Sequence, residues 1–178
     1  ALVMGVSGMY LPFAAFLGAI LSIILVYNLA VQNNKILPQS LILSGVIVSV
    51  AFSAIIVFLI SVSGNEALHG MTWWLWGSLQ VYDPKLLLIV SAIVLAGICV
   101  IYIFSQDLNA ISIGEEEAIH LGIDIESVKK ILILITSLIT ASLVCICGII
   151  GFVGLMIPHM MRLVVGPNHK VLIPVTCL

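Results

Sequence analysis

Four long apolar runs constrain what this chain can fold into more than any other feature of its sequence. None of the four contains Asp, Glu, Lys, Arg or His, and they cover residues 11–30, 41–60, 86–104 and 131–148. A helical run of about 20 such residues crosses a hydrocarbon core about 30 Å thick. Lipid leaves unpaired backbone groups without water, and the runs lack the alternating pattern of barrel strands. The predicted fold class is therefore all-α, a polytopic transmembrane helical protein.

A fifth apolar run covers residues 149–165 and differs from the other four in composition. Glycines recur there every third residue, at Gly148, Gly151 and Gly154. Small residues let helices approach closely in membranes, while glycine and Pro158 weaken a helix, so we predict a short or bent span that packs tightly. His159 has two interpretations: a ligand for metal or substrate, or a packed histidine whose ring bonds a carbonyl freed by Pro158.

Composition excludes an ordinary soluble domain, because 62% of the residues are hydrophobic and 8% are charged, against about 25% charged residues in soluble proteins. No basic stripe could neutralise phosphates, so no nucleic acid partner is expected. Cys145 and Cys147 do not share a helix face, so no metal site is predicted there, and the four cysteines indicate no disulfide framework. Because the chain opens on Ala1 and stops at Leu178, where an apolar run begins, we interpret it as a fragment of a longer protein.

One polar segment, residues 105–130, holds six of the eight acidic residues and two of the six basic ones. Ser112-x-x-Glu115 matches a capping box, which predicts a short helix inside a loop, with acidic residues at its positive end. Gly122 is placed to end that helix in a left-handed cap. The helix has an apolar side suited to a docking surface, made of Ala118, Ile119 and Leu121. The alternative interpretation is a solvated acidic loop.

Basic residues predict which side of the membrane each connection faces. With five alternating spans, Lys85 lies on one side and the other five basic residues lie opposite: Lys35, Lys129, Lys130, Arg162 and Lys170. The positive-inside rule makes the second side cytoplasmic, and the polar segment with it. The connection over residues 63–84 then faces outward. Its tryptophans belong either to an aromatic belt or to a short helix at the mouth of a pathway.

The sequence offers almost nothing for catalysis, and we expect no enzyme. It lacks the nucleotide motif G-x-x-x-x-G-K-[ST], the His-Glu-x-x-His motif and a nucleophile elbow. The first four apolar runs also lack the ionisable groups that proton-coupled and ion-coupled carriers use. Energy for transport is therefore expected from outside this chain.

Residues 148–170 read GIIGFVGLMIPHMMRLVVGPNHK. This stretch resembles the FecCD/BtuC-like permeases of ABC importers for iron chelates, haem and cobalamin, whose pattern is close to G-x-I-G-F-[VI]-G-L-x-x-P-H-x-x-R-x-x-x-G-x-D-H-[RK]. Asn168 stands where that family usually has Asp. Three further stretches resemble the family's coupling segment, its outward W-x-x-G-S segment and a helix start, at residues 108–122, 73–78 and 41–48.

The resemblance implies a ten-span permease in the plasma (inner) membrane of a bacterium or archaeon, with this chain running from the end of the third span through the eighth. It implies a pair of cytoplasmic ATP-binding subunits, on which ATP and Mg are expected. It also implies a second permease subunit, identical or different, and an extracytoplasmic substrate-binding protein. No cofactor is expected on this chain itself.

The predicted site residues form four groups. Coupling to the ATP-binding subunit is expected of Gly114, Glu115, Glu116, Ala118, Ile119, Leu121 and Gly122. The pathway and its inner gate are expected at Pro38, Gln39, Ser40, Ser44, Gly45 and Ser49, and the outer mouth at Trp73, Trp74, Trp76 and Gly77. Helix packing is predicted for Gly148, Gly151, Gly154, Pro158 and His159.

The leading hypothesis is an ATP-driven importer permease that works by alternating access. The alternative is a secondary carrier or channel of the same topology without an ATPase partner. A third hypothesis is a metal-dependent membrane enzyme built on His120, His159 and the glutamates. It is disfavoured because His120 is predicted to be cytoplasmic, whereas His159 lies within a span.

Overall fold

The computed structural model describes residues 10–32, 35–79, 83–149 and 151–177. Within these ranges the chain forms nine helices and one antiparallel pair of two-residue strands. The helices are α1 (Tyr10–Ala30), α2 (Pro38–Ser61), α3 (Asn65–Trp76), α4 (Pro84–Ile103), α5 (Ser105–Ile113), α6 (Glu115–His120), α7 (Ile125–Cys147), α8 (Val153–Val165) and α9 (His169–Thr176). The strands are β1 (Val31–Gln32) and β2 (Lys35–Ile36).

Four helices, α1, α2, α4 and α7, are long and apolar enough to cross a membrane. They contain 21, 24, 20 and 23 residues, so each is about 30–36 Å long. At most 22% of the most apolar stretch of any of them is buried within the chain. Such extensive exposed apolar surface suits lipid or neighbouring helices rather than water. The predicted all-α membrane fold is confirmed, and it has four helices that are long and apolar enough to span a membrane.

All four helices begin earlier than predicted, α2 and α7 by the most. α2 begins at Pro38, because proline lacks an N–H and is accommodated in the first helical turn. α7 begins at Ile125, because Asp124 caps it by accepting from Ser127 Oγ at 2.6 Å and from Ser127 N at 3.3 Å. These two bonds, the hydroxyl first, hold the pKa of Asp124 below its usual value. Lys129 therefore lies inside α7 rather than ahead of it.

The predicted short helix is present as α6, but the rest of the polar segment is mostly helical rather than loop. The chain turns at Phe104, and α5 follows at once, with Leu108 N donating to Phe104 O at 2.9 Å. α6 and the first turns of α7 occupy the rest of the segment. Apolar positions are buried in this region, including Ala118 at 0%, Ile125 at 6% and Val128 at 6% exposure. Packing of these positions holds as helix a stretch that its polarity suggested was loop.

The fifth predicted run forms a shorter helix than expected. α8 begins at Val153 and has 13 residues, so it is about 20 Å long. The chain cannot continue α7 into α8, because Gly148 and Phe152 both have positive φ, of 72° and 64°. The expected helical start near residue 149 is therefore wrong, and Phe152, in the left-handed region, directly precedes the helix.

The chain divides into two compact units, Ala1–Val90 with Thr140–Ile149 and Ser91–Ile139 with Ile150–Leu178. In the first, α1 packs along α2, and the β1–β2 pair closes their junction with Val31 opposite Ile36. Ala30 and Ile36 are almost fully buried there. In the second, α5 packs against α6 and α9, and α8 packs against α9.

Gly97 marks a close helix contact that the sequence did not single out. A Cβ added to Gly97 in α4 would lie 2.5 Å from Ile139 Cδ1 and 2.7 Å from Ile139 Cγ1 in α7. We expect Gly97→Val to lower the free energy of unfolding by about 1–3 kcal/mol, because a tightly packed contact is overfilled. Gly18→Val in α1 is the matched control, since nothing lies within 4 Å of its Cβ position. Thermal unfolding in detergent checks this, and equal midpoints for the two variants would contradict it.

Candidate functional site

α6 ends in a complete left-handed cap at Gly122. Gly122 has φ of 81°, and its N–H donates to Ile119 O at 2.9 Å, while Ile123 N donates to Ala118 O at 3.1 Å. This pair of bonds is the Schellman arrangement, which satisfies carbonyls that the helix end leaves free. The predicted left-handed cap at Gly122 is confirmed.

The start of α6 differs from the prediction. Ser112 lies inside α5, where its Oγ donates to Asn109 O at 2.7 Å, so it cannot cap α6 and the predicted capping box is wrong. Gly114 instead separates α5 from α6 as a single extended residue. Glu115, Glu116 and Glu117 do occupy the first turn of α6.

The three apolar residues predicted for docking divide between two sides of α6. Ala118 is completely buried and anchors the helix. Ile119 is 62% exposed and Leu121 is 71% exposed. We call Glu115, Glu116, Ile119 and Leu121 the α6 surface. Exposed large apolar side chains beside carboxylates are typical of a protein interaction surface.

Lys129 in α7 ties the start of α6 to the first turns of α7. Its Nζ lies 2.8 Å from Glu115 Oε1 and 3.8 Å from Glu126 Oε1. The lysine side chain is 14% exposed, whereas that of Glu115 is 54% exposed. Such pairs contribute at most about 1 kcal/mol, so their main effect is on the position of α6. The sequence analysis uses Lys129 only for its charge in the positive-inside rule, and no local pattern indicates this pairing.

Asn109, Asn168 and His169 form a second polar contact, which we call the Asn109 cluster. Asn168 caps α9, since its Oδ1 accepts from Lys170 N at 3.0 Å. Asn109 Nδ2 in α5 donates to the same oxygen at 3.0 Å. Asn109 Oδ1 accepts from His169 N at 2.8 Å and lies 2.8 Å from His169 Nδ1. The cluster therefore holds the start of α9 against α5. An Asp at position 168 could accept the same bonds, so the departure from the family pattern changes no contact.

Acidification is expected to destabilise the protein through His169. Burial, followed by the charge of Arg162, holds the pKa of His169 below its ordinary value of 6.5. The unfolded chain therefore takes up this proton at a higher pH than the folded chain. The contribution of neutral His169 to stability is present above about pH 6.5 and is lost as pH falls through the folded-state value.

The measurement is the difference in unfolding midpoint between the wild type and His169→Gln, followed from about pH 8 to pH 5. The wild-type advantage should shrink as the pH falls. An advantage that stays constant over this range would contradict the prediction.

A backbone contact joins the end of α3 to the end of α7 within one unit. Ser78 N donates to Cys147 O at 2.8 Å. A Cβ on Gly77 would lie 2.8 Å from Ile149 O, and one on Gly148 would lie 2.6 Å from Trp74 O. Both glycines have positive φ, of 70° and 72°. Gly77 belongs to the predicted outer mouth and Gly148 to the predicted packing residues, and the structure brings the two glycines together.

Much of the predicted outer-mouth segment forms the helix α3, which is compatible with both interpretations of its tryptophans. Trp76 is 74% exposed, Trp74 is half-buried, and the side chain of Trp73 lies outside the described residues. Their role at a pathway stays a prediction.

The predicted pathway residues on α2 face more than one direction. Ser44 is 6% exposed and lies with Val48 on the buried side of the helix. Gly45 and Ser49, one turn apart, lie beside them on a more open side, with nothing within 4 Å of a Cβ at Gly45. Pro38, Gln39 and Ser40 form the first turn of α2. Ser44 thus serves packing in this chain, while Gly45 and Ser49 stay available for a pathway.

The predicted packing residues in and before α8 make few contacts in this chain. A Cβ at Gly151 or Gly154 would meet nothing within 4 Å. His159 is exposed and Pro158 is half-buried, so a histidine packed within this chain is not what the structure has. Among the described residues, no three His, Cys, Asp or Glu side chains lie close enough to hold a metal ion. Packing by Gly151 and Gly154 stays a prediction.

Comparisons with known proteins agree over the whole chain. Residues 1–178 match the FecCD transport family. The chain is 39% identical to the cobalamin import system permease protein BtuC of Halobacterium salinarum, over 93% of this chain and 44% of the relative. It is 31% identical to the Fe(3+) dicitrate transport system permease protein FecD of Escherichia coli, over 96% of this chain and 52% of the relative. The chain thus spans about half the length of the curated relatives that it matches.

A solved structure supports the same assignment. It is an inward-facing conformation assigned to the metal-chelate type of ABC transporters, with a TM-score of 0.87 and 32% identity, covering 99% of this chain and 56% of that one. Together with the four spanning helices, these matches make the protein a multi-pass protein of the plasma membrane. The helical architecture and the match over residues 1–178 lead to one conclusion: the chain belongs to the FecCD transport family.

Proposed function

We propose that this chain forms part of the membrane-spanning permease of an ATP-driven importer. It provides part of the translocation pathway, which works by alternating access, and it couples to a separate ATP-binding subunit. The observation that carries the proposal is α6, a capped six-residue helix that exposes Ile119 and Leu121 in a chain without a nucleotide-binding motif. A helix with this surface is suited to docking by another protein, whose movement then displaces the helix.

Iron-siderophore, haem and cobalamin are the proposed cargo. The relatives named for such transport include the cobalamin permease, the ferric dicitrate permease and the hemin transport system permease protein HmuU of Yersinia pestis, which is 28% identical. The spans of this chain offer an apolar wall with small residues such as Gly45 and Ser49. A separate binding protein at the outer face therefore sets the choice among these chelates.

Coupling requires that the ATP-binding subunit dock on the α6 surface with different free energies in the two conformations of the permease. A ligand shifts an equilibrium between two conformations only by the difference in its affinity for them. ATP and Mg are held by that subunit in the cytoplasm. Closure of the ATP-binding pair displaces α6, and the displacement moves the spanning helices around the pathway. A second permease subunit completes the pathway.

The test is reconstitution of the full-length permease with its ATP-binding subunit in lipid vesicles. Uptake of ferric hydroxamate, haem and cobalamin is measured with and without MgATP. We expect one of these probes to enter only with MgATP, and to do so in the presence of ionophores that collapse ion gradients. Uptake that follows an ion gradient, with no ATP-binding subunit co-purifying, would establish the secondary carrier instead.

A further inference from the structure

The Asn109 cluster is more than an ordinary helix cap. The first N–H groups of a helix have no partners within it, and Asn168 alone satisfies that of Lys170. The N–H of His169 is satisfied by Asn109, which lies 60 positions earlier in the chain. Asn109 also donates to Asn168, so it uses both halves of its amide. Replacing Asn109 without loss requires both a donor and an acceptor in the same arrangement.

Asn109 lies on the helix that is joined most directly to the α6 surface. α5 and α6 are separated by Gly114 alone, whose N–H donates to Ala110 O at 3.4 Å and whose carbonyl accepts from Ala118 N at 3.1 Å. A displacement of α6 therefore passes into the last turn of α5, residues 110–113, which directly follows Asn109. A further polar link from α6 is the ion pair of Lys129 with Glu115, which is partly exposed.

We propose that Asn109 is a positioning residue that carries the displacement of α6 into α9 during the nucleotide cycle. The proposal rests on the proposed function, because α6 is displaced only if an ATP-binding subunit docks on it. Three hydrogen-bond contacts through one short side chain make the start of α9 follow α5 more closely than apolar packing alone would. α8 precedes α9 by three residues, so the movement reaches α8 as well.

Two isosteric substitutions distinguish this role from simple stabilisation. Asn168→Asp keeps both acceptor bonds, so the link to Asn109 Nδ2 is retained. Asn109→Asp removes the donor and places a carboxylate against Asn168 Oδ1. If Asn168 turned its amide to donate instead, it would lose the bond from Lys170 N. Both variants gain one negative charge in the same cluster. Only Asn109→Asp loses the bond to Asn168 Oδ1, and it keeps the two contacts of His169 with Oδ1, whereas Asn109→Leu removes all three contacts.

The experiment uses the full-length permease with its ATP-binding subunit in lipid. A fluorophore is attached to Cys177, the exposed residue that follows α9, after replacement of the exposed Cys99 by serine; Cys145 and Cys147 are buried. MgATP is added, and the fluorescence change and ATP hydrolysis are measured together. We expect a clear change in the wild type and in Asn168→Asp, one reduced by about fivefold or more in Asn109→Leu, and a smaller reduction in Asn109→Asp, which keeps the contacts with His169.

Each outcome decides the question. Asn109 variants that hydrolyse ATP and still give the wild-type fluorescence change overturn the proposal. A lowered unfolding midpoint with an unaltered fluorescence change identifies Asn109 as a structural residue only, and so does failure of both Asn109 variants to assemble. If no ATP-binding subunit co-purifies with the wild type, the proposed function itself fails, which is a separate result.

Discussion

Gly122→Val is expected to separate ATP hydrolysis from transport. Valine is strained at the φ of 81° that Gly122 adopts, at a cost of about 1–3 kcal/mol for a non-glycine residue. Nothing lies within 4 Å of a Cβ at this position, so the cost comes from the backbone rather than from collision. The Schellman bonds of Gly122 and Ile123 break, the end of α6 reorganises, and Leu121 moves away from its docked position.

A cost of this size corresponds to a change of about 5–150-fold in a coupled equilibrium. We therefore expect the ratio of uptake to ATP hydrolysis in reconstituted vesicles to fall by about tenfold or more, while membrane insertion is unchanged. Gly122→Asn is the control, because asparagine tolerates the left-handed region, and it should keep most of the ratio. Wild-type coupling in Gly122→Val would refute the role given to this cap.

Gly148→Ala is expected to cause a large loss of stability. The new Cβ would lie 2.6 Å from Trp74 O and 3.2 Å from Gly77 Cα, which are both backbone atoms. Backbone cannot turn aside as a flexible side chain can, so α3 and α7 must separate. The strain of a positive φ adds to this collision, and together they cost at least about 2 kcal/mol.

Gly166→Ala separates the two causes. Gly166 has φ of 84°, and nothing lies within 4 Å of its Cβ position, so its substitution measures the backbone strain alone. Thermal unfolding and the yield of folded protein in detergent provide the comparison. We expect Gly148→Ala to be less stable than Gly166→Ala, and Gly77→Ala to behave like Gly148→Ala. Equal stabilities of the variants at positions 148 and 166 would show that the close contact carries no energy.

Features that depend on neighbouring residues could be predicted from the sequence. The four spanning helices follow from the length and uniform apolarity of their runs, and the cap at Gly122 follows from the place of one glycine after an apolar turn. The sequence prediction begins the fourth span at residue 131, because the charges that follow Asp124 are typical of a loop. Asp124 is nevertheless a cap signal, and α7 begins at Ile125. Ser112 matches a capping pattern, but it lies inside α5, where its hydroxyl donates to Asn109 O.

Features that join distant parts of the chain could not be predicted. Asn109 and His169 are 60 positions apart, and no local pattern indicates that one caps the helix of the other. Gly97 resembles any tolerated glycine in an apolar run, and only the position of Ile139 gives it meaning. The positive φ of Phe152 also has no signal in its type, since φ above zero is uncommon outside glycine. That conformation shortened the fifth span.

The bond from Ser78 N to Cys147 O has a consequence for how the protein is made. Its two ends are separated by about 70 residues, and ribosomes add about 5–20 residues per second. Several seconds therefore pass between the synthesis of α3 and the arrival of its partner, during which α4 and α7 must enter the bilayer. Over that interval Cys147 O is not yet present to accept from Ser78 N. Slower translation between Ser78 and Cys147 lengthens this interval, and ribosome pausing within that stretch should lower the yield of correctly assembled protein.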